Sequence, residues 1–182
     1  MPATATKIPG FVSQRQFTRA MKWYDSVEGA DDSVIDPVSQ NLYSSGHQKG
    51  RKCEFLVADL FRKMGYPAQV LKGQEGCDLL VKIKDKWLNV EVKSSEERKQ
   101  YIFPHIKPNK FDLIVLVFVG KEGTSIQIGG DKAKEFISTW ATWVVSYSDY
   151  SIAFSRNRRH CKARGQEGIW VPFTKSNISK VI

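Results

Sequence analysis

Two neighbouring segments decide the fold of this chain: GCDLLV at residues 76–81 and WLNVEVKS at residues 87–94. Both are short and rich in apolar residues, as β-strands are, and the polar turn between them predicts a hairpin. The first segment places Asp78 at the start of its strand, and the second ends with Glu91 and Lys93. Because side chains two positions apart leave the same face of a strand, Glu91 and Lys93 are expected side by side.

Charged side chains at the end of an apolar strand need a partner, because burial of an unpaired charge is costly. A divalent cation would supply one, since Mg²⁺ takes one or two carboxylates and completes its shell with water and substrate phosphate. Asp78 and Glu91 are the candidate carboxylates. Lys93 could orient the attacking water and stabilise the anion that develops on the phosphate. This set of residues indicates metal-dependent phosphodiester hydrolysis.

An amphipathic helix is predicted upstream of the hairpin, from Gly46 to the stop signal at Gly65. With about 100° of rotation per residue, Glu54 lies about 20° from Phe61 and about 60° from Val57, at the edge of the apolar stripe. An acid there points along the surface of the sheet on which the helix packs. Glu54 is therefore a fourth candidate, as a ligand through water or at a second cation.

The remaining periodic segments predict a mixed sheet with a second helix. The seven-residue apolar run at 113–119 indicates a strand covered on both faces. The order of elements predicts an α/β or α+β fold. Further strands are expected at 68–71, 101–106, 125–128, 151–154 and 169–173, and the second helix at 132–143. The chain divides into an N-terminal arm with one helix over 13–27 (1–44), a core (45–142) and a basic C-terminal extension (143–182).

Composition bounds the partners and the compartment. The 182 residues are 41% hydrophobic with a net charge of +9, which suits one core and a polyanionic partner. The longest apolar run is far shorter than the ~20 residues of a membrane span, and the first ten residues hold no apolar signal core, so a cytoplasmic protein is expected. Three scattered cysteines and three scattered histidines disfavour disulfides and zinc. No organic cofactor is indicated.

The positive charge is concentrated in two of three segments. Net charge is −1 over residues 1–44, +5 over 45–119 and +5 over 120–182. Basic side chains precede Glu54 and recur in a run near the C-terminus, where contact with DNA phosphates is expected although a solvated loop is equally typical of such runs. The candidate DNA-binding residues are Lys49, Arg51, Lys52, Arg156, Arg158, Arg159, Lys162 and Arg164.

Taken in order, Glu54, Asp78 and the Glu91-Val92-Lys93 run resemble the PD-(D/E)xK nuclease superfamily. The similarity covers about residues 46–119 and is closest to Holliday-junction resolvases over 49–95. Residues 96–106 are more similar to phage or intron endonucleases, and Cys77 stands where the nominal motif has Pro. A second Glu-x-Lys at 97–99 lacks an upstream Asp and a strand before it, so Glu-x-Lys alone is weak evidence.

The resemblance implies a restriction-endonuclease-like αβββαβ core, and Mg²⁺, or Mn²⁺ as a substitute, held by Asp78, Glu91 and the Val92 backbone carbonyl. It implies that Lys93 is the water-positioning base or electrostatic stabiliser of a DNA endonuclease. A homodimer is expected because two DNA strands need two active sites. A junction-specific enzyme is the first expectation and a sequence-specific homing or restriction enzyme the alternative. Two other interpretations remain open: a DNA-binding module without catalysis, and a surface hairpin in which Glu91 and Lys93 pair with Lys82 or Asp85.

Overall fold

The computed structural model describes residues 10–13, 45–71, 77–96, 100–121, 123–140, 142–143, 150–155 and 168–182. The strands are β1 (Phe11–Ser13), β2 (Ala68–Val70), β3 (Leu79–Ile83), β4 (Lys86–Glu96), β5 (Gln100–Ile106), β6 (Leu113–Val119), β7 (Gly123–Gly129), β8 (Thr142–Trp143), β9 (Tyr150–Ser155) and β10 (Val171–Pro172). The helices are α1 (Ser45–Lys63), α2 (Asp131–Trp140) and α3 (Lys175–Ile178), and a 3₁₀ turn covers Pro108–Lys110.

The central sheet is mixed, as predicted. Its strands run in the order β1-β7-β6-β4-β3-β2, with β10 also paired to β7. Neighbours pair antiparallel except β4 and β6, which are parallel. A second, separately hydrogen-bonded sheet of order β5-β9-β8 packs against it. The predicted mixed α/β fold and the predicted meander of β2, β3 and β4 are confirmed.

The helix α1 covers one face of the central sheet. Its buried side chains, including Val57 and Phe61, pack on Leu79, Val90 and Val115 of the strands. The helix stops where Gly65 takes a φ of 91°, a conformation that a residue without Cβ adopts freely. The Gly65 and Tyr66 N–H groups then bond the last helical carbonyls.

The second core fills the opposite face over β6. The strand β6 alternates its side chains between the two cores, so that Val115 belongs to the first and Leu116 to the second. The second core is closed by β5, β9 and α2, through side chains such as Phe103 and Phe154. The prediction that residues 113–119 are covered on both faces is confirmed.

The link between β4 and β6 differs from the αβββαβ pattern that the resemblance implies. Parallel neighbours need a crossover, usually an α-helix. In the described part of this link, β5 and the turn Pro108–Lys110 stand where that helix is expected. The residues of β5 are largely aromatic and β-branched, which favours a strand. The backbone N–H and C=O groups of β5 are satisfied by pairing with β9 in the second sheet, whereas a helix would have satisfied them internally.

Two further predictions are corrected at their boundaries. The helix predicted over 132–143 ends at Trp140, and Thr142–Trp143 pairs with β9 instead. Ser13, where the N-terminal helix was predicted to start, closes β1, which pairs with β7. The rest of the predicted arm helix and the loop after it lie outside the described residues. No helix in the described part of the chain is long and apolar enough to cross a membrane.

Candidate active site

Asp78 sits where β3 and β4 part. The last cross-strand pair of the hairpin at this end is Leu79 with Val90, and the described ladder stops there while β4 continues to Glu96. The Asp78 N–H donates to the Val90 carbonyl at 3.1 Å. Its carboxylate Oδ2 accepts a 2.7 Å hydrogen bond from the Val92 N–H, which is past the last pair. The carboxylate thus replaces a missing strand neighbour and is fixed against β4.

Glu91 and Lys93 lie on one face of β4, as the spacing predicts. The Lys93 Nζ is 2.6 Å from Glu91 Oε1, and Glu91 is only 8% exposed. The alternative pairing with the hairpin tip is not what the structure has, because Lys82 Nζ lies 3.5 Å from Asp85 Oδ1 instead. Glu91 therefore pairs with Lys93 just past the point where the β3–β4 ladder ends.

Glu54 reaches the same region from α1. Its Oε2 accepts a 2.7 Å hydrogen bond from Arg51, one turn earlier on the helix. The same Arg51 nitrogen donates to the Leu71 carbonyl at 2.7 Å, and the Leu71 N–H donates to the Asp78 carbonyl at 2.9 Å. Arg51 therefore ties the Glu54 carboxylate to Leu71, whose N–H bonds the Asp78 carbonyl.

The three carboxylates repel one another. Burial and the charge of Asp78 raise the pKa of Glu91, while Lys93 and Lys107 lower it. Burial and Asp78 also raise the pKa of Glu54, against the opposing bond from Arg51. Burial raises the pKa of Asp78 as well, although the Val92 N–H, Lys93 and Arg51 oppose the shift. The site thus gathers three carboxylates, an excess of oxygen donors whose ionisation is disfavoured mainly by burial.

A hard divalent cation suits this excess of oxygen donors. In the part of the chain that the structure describes, no three His, Cys, Asp or Glu side chains come together as a metal cage. Asp78 and Glu91 could supply two carboxylates. The N–H and C=O of a strand residue point to the same side, so the Val92 carbonyl is directed toward Asp78 with its N–H. Water would complete such a shell.

The structure describes only two of the predicted DNA-binding side chains, those of Arg51 and Lys52. The Arg51 guanidinium is engaged by Glu54 and Leu71, so the structure gives it a positioning contact that the sequence prediction missed. Lys52 is half-buried on α1. The Lys49 side chain lies outside the described residues, as do those of Arg156, Arg158, Arg159, Lys162 and Arg164. Their contact with DNA stays a prediction.

Sequence reasoning also missed Lys107. It is exposed just before the turn at Pro108–Lys110, and its charge lowers the pKa of Glu91. No local pattern marks it, because the link from β5 to β6 brings it close to β4. Cys53 was missed in the same way: its side chain hydrogen-bonds Ser94 where α1 packs on β4.

No protein-family model and no curated protein matches the sequence. Among solved structures, the chain is similar to I-Ssp6803I, a bacterial homing endonuclease, at 18% identity and a TM-score of 0.49, over 70% of this chain and 89% of that one. It is also similar to the Archaeoglobus fulgidus Holliday junction resolvase Hjc, at 13% identity and a TM-score of 0.40, over 60% and 85%.

Proposed function

We propose that this protein is a metal-dependent DNA endonuclease whose active site comprises Glu54, Asp78, Glu91 and Lys93. One observation carries the proposal: the Asp78 carboxylate is held on the Val92 N–H, directly between Glu91 and Lys93, which are themselves paired at 2.6 Å. Two carboxylates and a lysine thereby come together where the β3–β4 ladder ends. A surface ion pair alone would give no reason to bury a second carboxylate, that of Asp78, beside it.

Each residue has a role that its contacts support. Asp78, Glu91 and the Val92 carbonyl would hold Mg²⁺ or Mn²⁺, and Glu54 would bind through water or at a second cation. When bound, the cation lowers the pKa of a water and offsets charge on the phosphate. Lys93 keeps its ammonium beside Glu91, where it can orient that water and stabilise the developing anion.

DNA is the proposed substrate because a polyanion matches the charge of the chain. The net charge is +9, and the segment that contains the four site residues carries +5 of it. If the five basic residues between 156 and 164 each neutralise one phosphate, log K should fall with log salt with a slope steeper by about 4.5 on B-DNA. Cutting both strands of a duplex would need two such sites, which favours a homodimer. The cytoplasm is its proposed compartment.

The test is cleavage with matched variants. Supercoiled plasmid, linear duplex and a four-way junction are incubated with Mg²⁺, Mn²⁺ or EDTA, using the natural protein, Asp78→Asn and Lys93→Ala. Asp59→Asn and Lys63→Ala are the controls, because these side chains form an ion pair of 2.6 Å elsewhere on α1. Metal-dependent cutting that is lost only in the site variants supports the proposal.

The same experiment separates the alternatives. Binding without any cutting in either metal would overturn the enzyme in favour of a DNA-binding module. Selective cutting of the four-way junction points to a resolvase, and discrete fragments from a long duplex point to a homing or restriction enzyme.

A further inference from the structure

The face of β4 that carries Glu91 and Lys93 continues beyond the active site. Side chains at every second position share that face, so Asn89 and Trp87 follow Glu91 toward the hairpin tip. On β3 the partners of these two residues are Leu80 and Lys82. The catalytic side chains and this strip of four residues, which we call the hairpin face, therefore form one continuous surface.

Neither core covers the hairpin face. The first core lies on the opposite side of β3 and β4, under α1, and the second core is built over β6. Trp87 is 53% exposed, more than any other large hydrophobic side chain in the described residues. A single exposed apolar residue needs no explanation. An exposed tryptophan on the same face as the active site, with a lysine as its cross-strand neighbour, does point to a ligand.

The charge of this region suits a nucleic-acid strand. Lys84 and Lys86 stand exposed at the tip, close to Lys82 and Trp87, and Asp85 is the acid among them. The hairpin tip therefore keeps a net charge of about +2 beside an aromatic ring. Lysines that follow a backbone, with an aromatic ring on which a base can stack, are how proteins bind unpaired strands.

The spacing matches a substrate that also occupies the active site. Four residues of strand separate Trp87 from Glu91, about 13 Å at ~3.3 Å per residue. That is the length of about four stacked nucleotides on one strand. A strand with its phosphate at Glu91 and Lys93 would therefore reach Trp87 within a few nucleotides.

We infer that the hairpin face binds unpaired nucleotides next to the scissile phosphate, with a base stacked on Trp87 and the backbone held by Lys82. This inference rests on the proposed nuclease function and names its substrate class: DNA whose bases are unpaired near the cut, as at a branch or fork. Paired bases offer no free ring face, because their neighbours in the stack cover it. A fully paired duplex would contact the lysines through its phosphates but would have no base stacked on Trp87.

Binding without metal tests the inference separately from cleavage. Fluorescence anisotropy in EDTA compares a forked DNA with a fully paired duplex of the same length, for the natural protein, Trp87→Ala and Trp87→Phe. Ile102→Ala is the control, because Ile102 is 51% exposed on β5 in the other sheet. Trp87→Ala should weaken binding of the fork by about five- to a hundred-fold, leave the duplex nearly unchanged, and be rescued by Phe. Ile102→Ala should change neither.

A second measurement follows the base and the backbone directly. The fluorescence of 2-aminopurine in the unpaired arm should be quenched by the natural protein and not by Trp87→Ala. Lys82→Ala should reduce the salt slope by about 0.7 on the fork, whereas Lys132→Ala on α2 should not. Unchanged unfolding temperatures of these exposed-site variants exclude loss of fold.

Equal losses on fork and duplex, or no loss on the fork, would overturn the inference. Trp87-dependent binding of the fork without any cleavage would support the hairpin face and overturn the nuclease. Metal-dependent cleavage of a fork, with binding that Trp87→Ala leaves unchanged, would support the nuclease and overturn the role of the hairpin face.

Discussion

The Asp78 carboxylate accepts a 2.7 Å hydrogen bond from the backbone N–H of Val92. This bond joins two strands just beyond the last pair of their ladder, between Leu79 and Val90. It fixes the Asp78 carboxylate against the backbone of β4 between Glu91 and Lys93, and the Val92 carbonyl leaves the strand on the same side as its N–H. The backbone of β4 is thereby part of the proposed metal site.

Asp78→Asn should reduce the rate of cleavage by about a hundred-fold or more, because a neutral amide is a poor ligand for a hard cation. The amide oxygen can still accept the Val92 N–H, so the fold should persist. In EDTA at pH 8 the unfolding temperature should rise, since the charge that raises the pKa of Glu54 and Glu91 is gone. Differential scanning fluorimetry with and without Mg²⁺ measures both effects; a lower unfolding temperature in EDTA would contradict the repulsion.

The metal-free protein should lose stability as pH rises. The raised pKa values mean that Glu54, Asp78 and Glu91 bind protons more tightly when folded than when unfolded. Below the pKa values of the unfolded state these carboxyl groups do not reduce the free energy of unfolding. Above the pKa values of the folded state the reduction is complete. Mg²⁺ should offset that cost, so the rise in unfolding temperature that it causes should grow with pH. A rise independent of pH would place the cation elsewhere.

Lys93→Gln should reduce cleavage by about a hundred- to ten-thousand-fold while DNA binding changes little. Because Lys93 lowers the pKa of Glu91, its removal should raise that pKa further. Stabilisation by Mg²⁺ should then begin at a higher pH than in the natural protein. Single-turnover cleavage and metal titrations followed by thermal unfolding measure the two effects. Lys63→Gln, on the exposed end of α1, is the matched control.

Arg51→Gln should shift the acid side of the pH–rate profile upward. The guanidinium opposes the rise in the pKa of Glu54, so without it Glu54 ionises at higher pH. The loss of rate should be large at low pH and partly recovered at high pH, as expected of a positioning residue. A uniform loss at every pH would instead indicate that Arg51 contacts the substrate, as the sequence alone suggested.

Cys53 should resist alkylation in the native protein. Burial raises the pKa of its thiol to about 11, so very little thiolate exists at pH 8. Iodoacetamide followed by mass spectrometry should modify Cys53 only after denaturation. Fast labelling of the native protein would mean that α1 separates transiently from β4, where the side chains of Cys53 and Ser94 form a hydrogen bond.

Local patterns were sufficient for much of the fold. The three- and four-residue spacing around Val57 and Phe61 predicts α1 because a helix on a sheet must bury one stripe. The apolar run at 113–119 predicts β6 for the equivalent reason. Local spacing also placed Glu91 and Lys93 on one face of β4. These are properties of a few consecutive residues, and the structure confirms each of them.

Contacts between distant segments were beyond such patterns. The crossover by β5, the end of α2 at Trp140 and the pairing of β1 with β7 depend on which partner strand is within reach. The same is true of the contact that turns Arg51 from the solvent to Glu54 and Leu71.

Sequence alone was enough to predict the helix, the hairpin and the shared face of Glu91 and Lys93, because each follows from periodicity over one helix or one strand pair. The contact of Asp78 with Val92, the closeness of Lys107 to Glu91, and the position of the hairpin face outside both cores of the described residues came from the three-dimensional fold. Long-range pairing sets these relations, since the free energy of a strand contact depends on both segments and neither one encodes it alone.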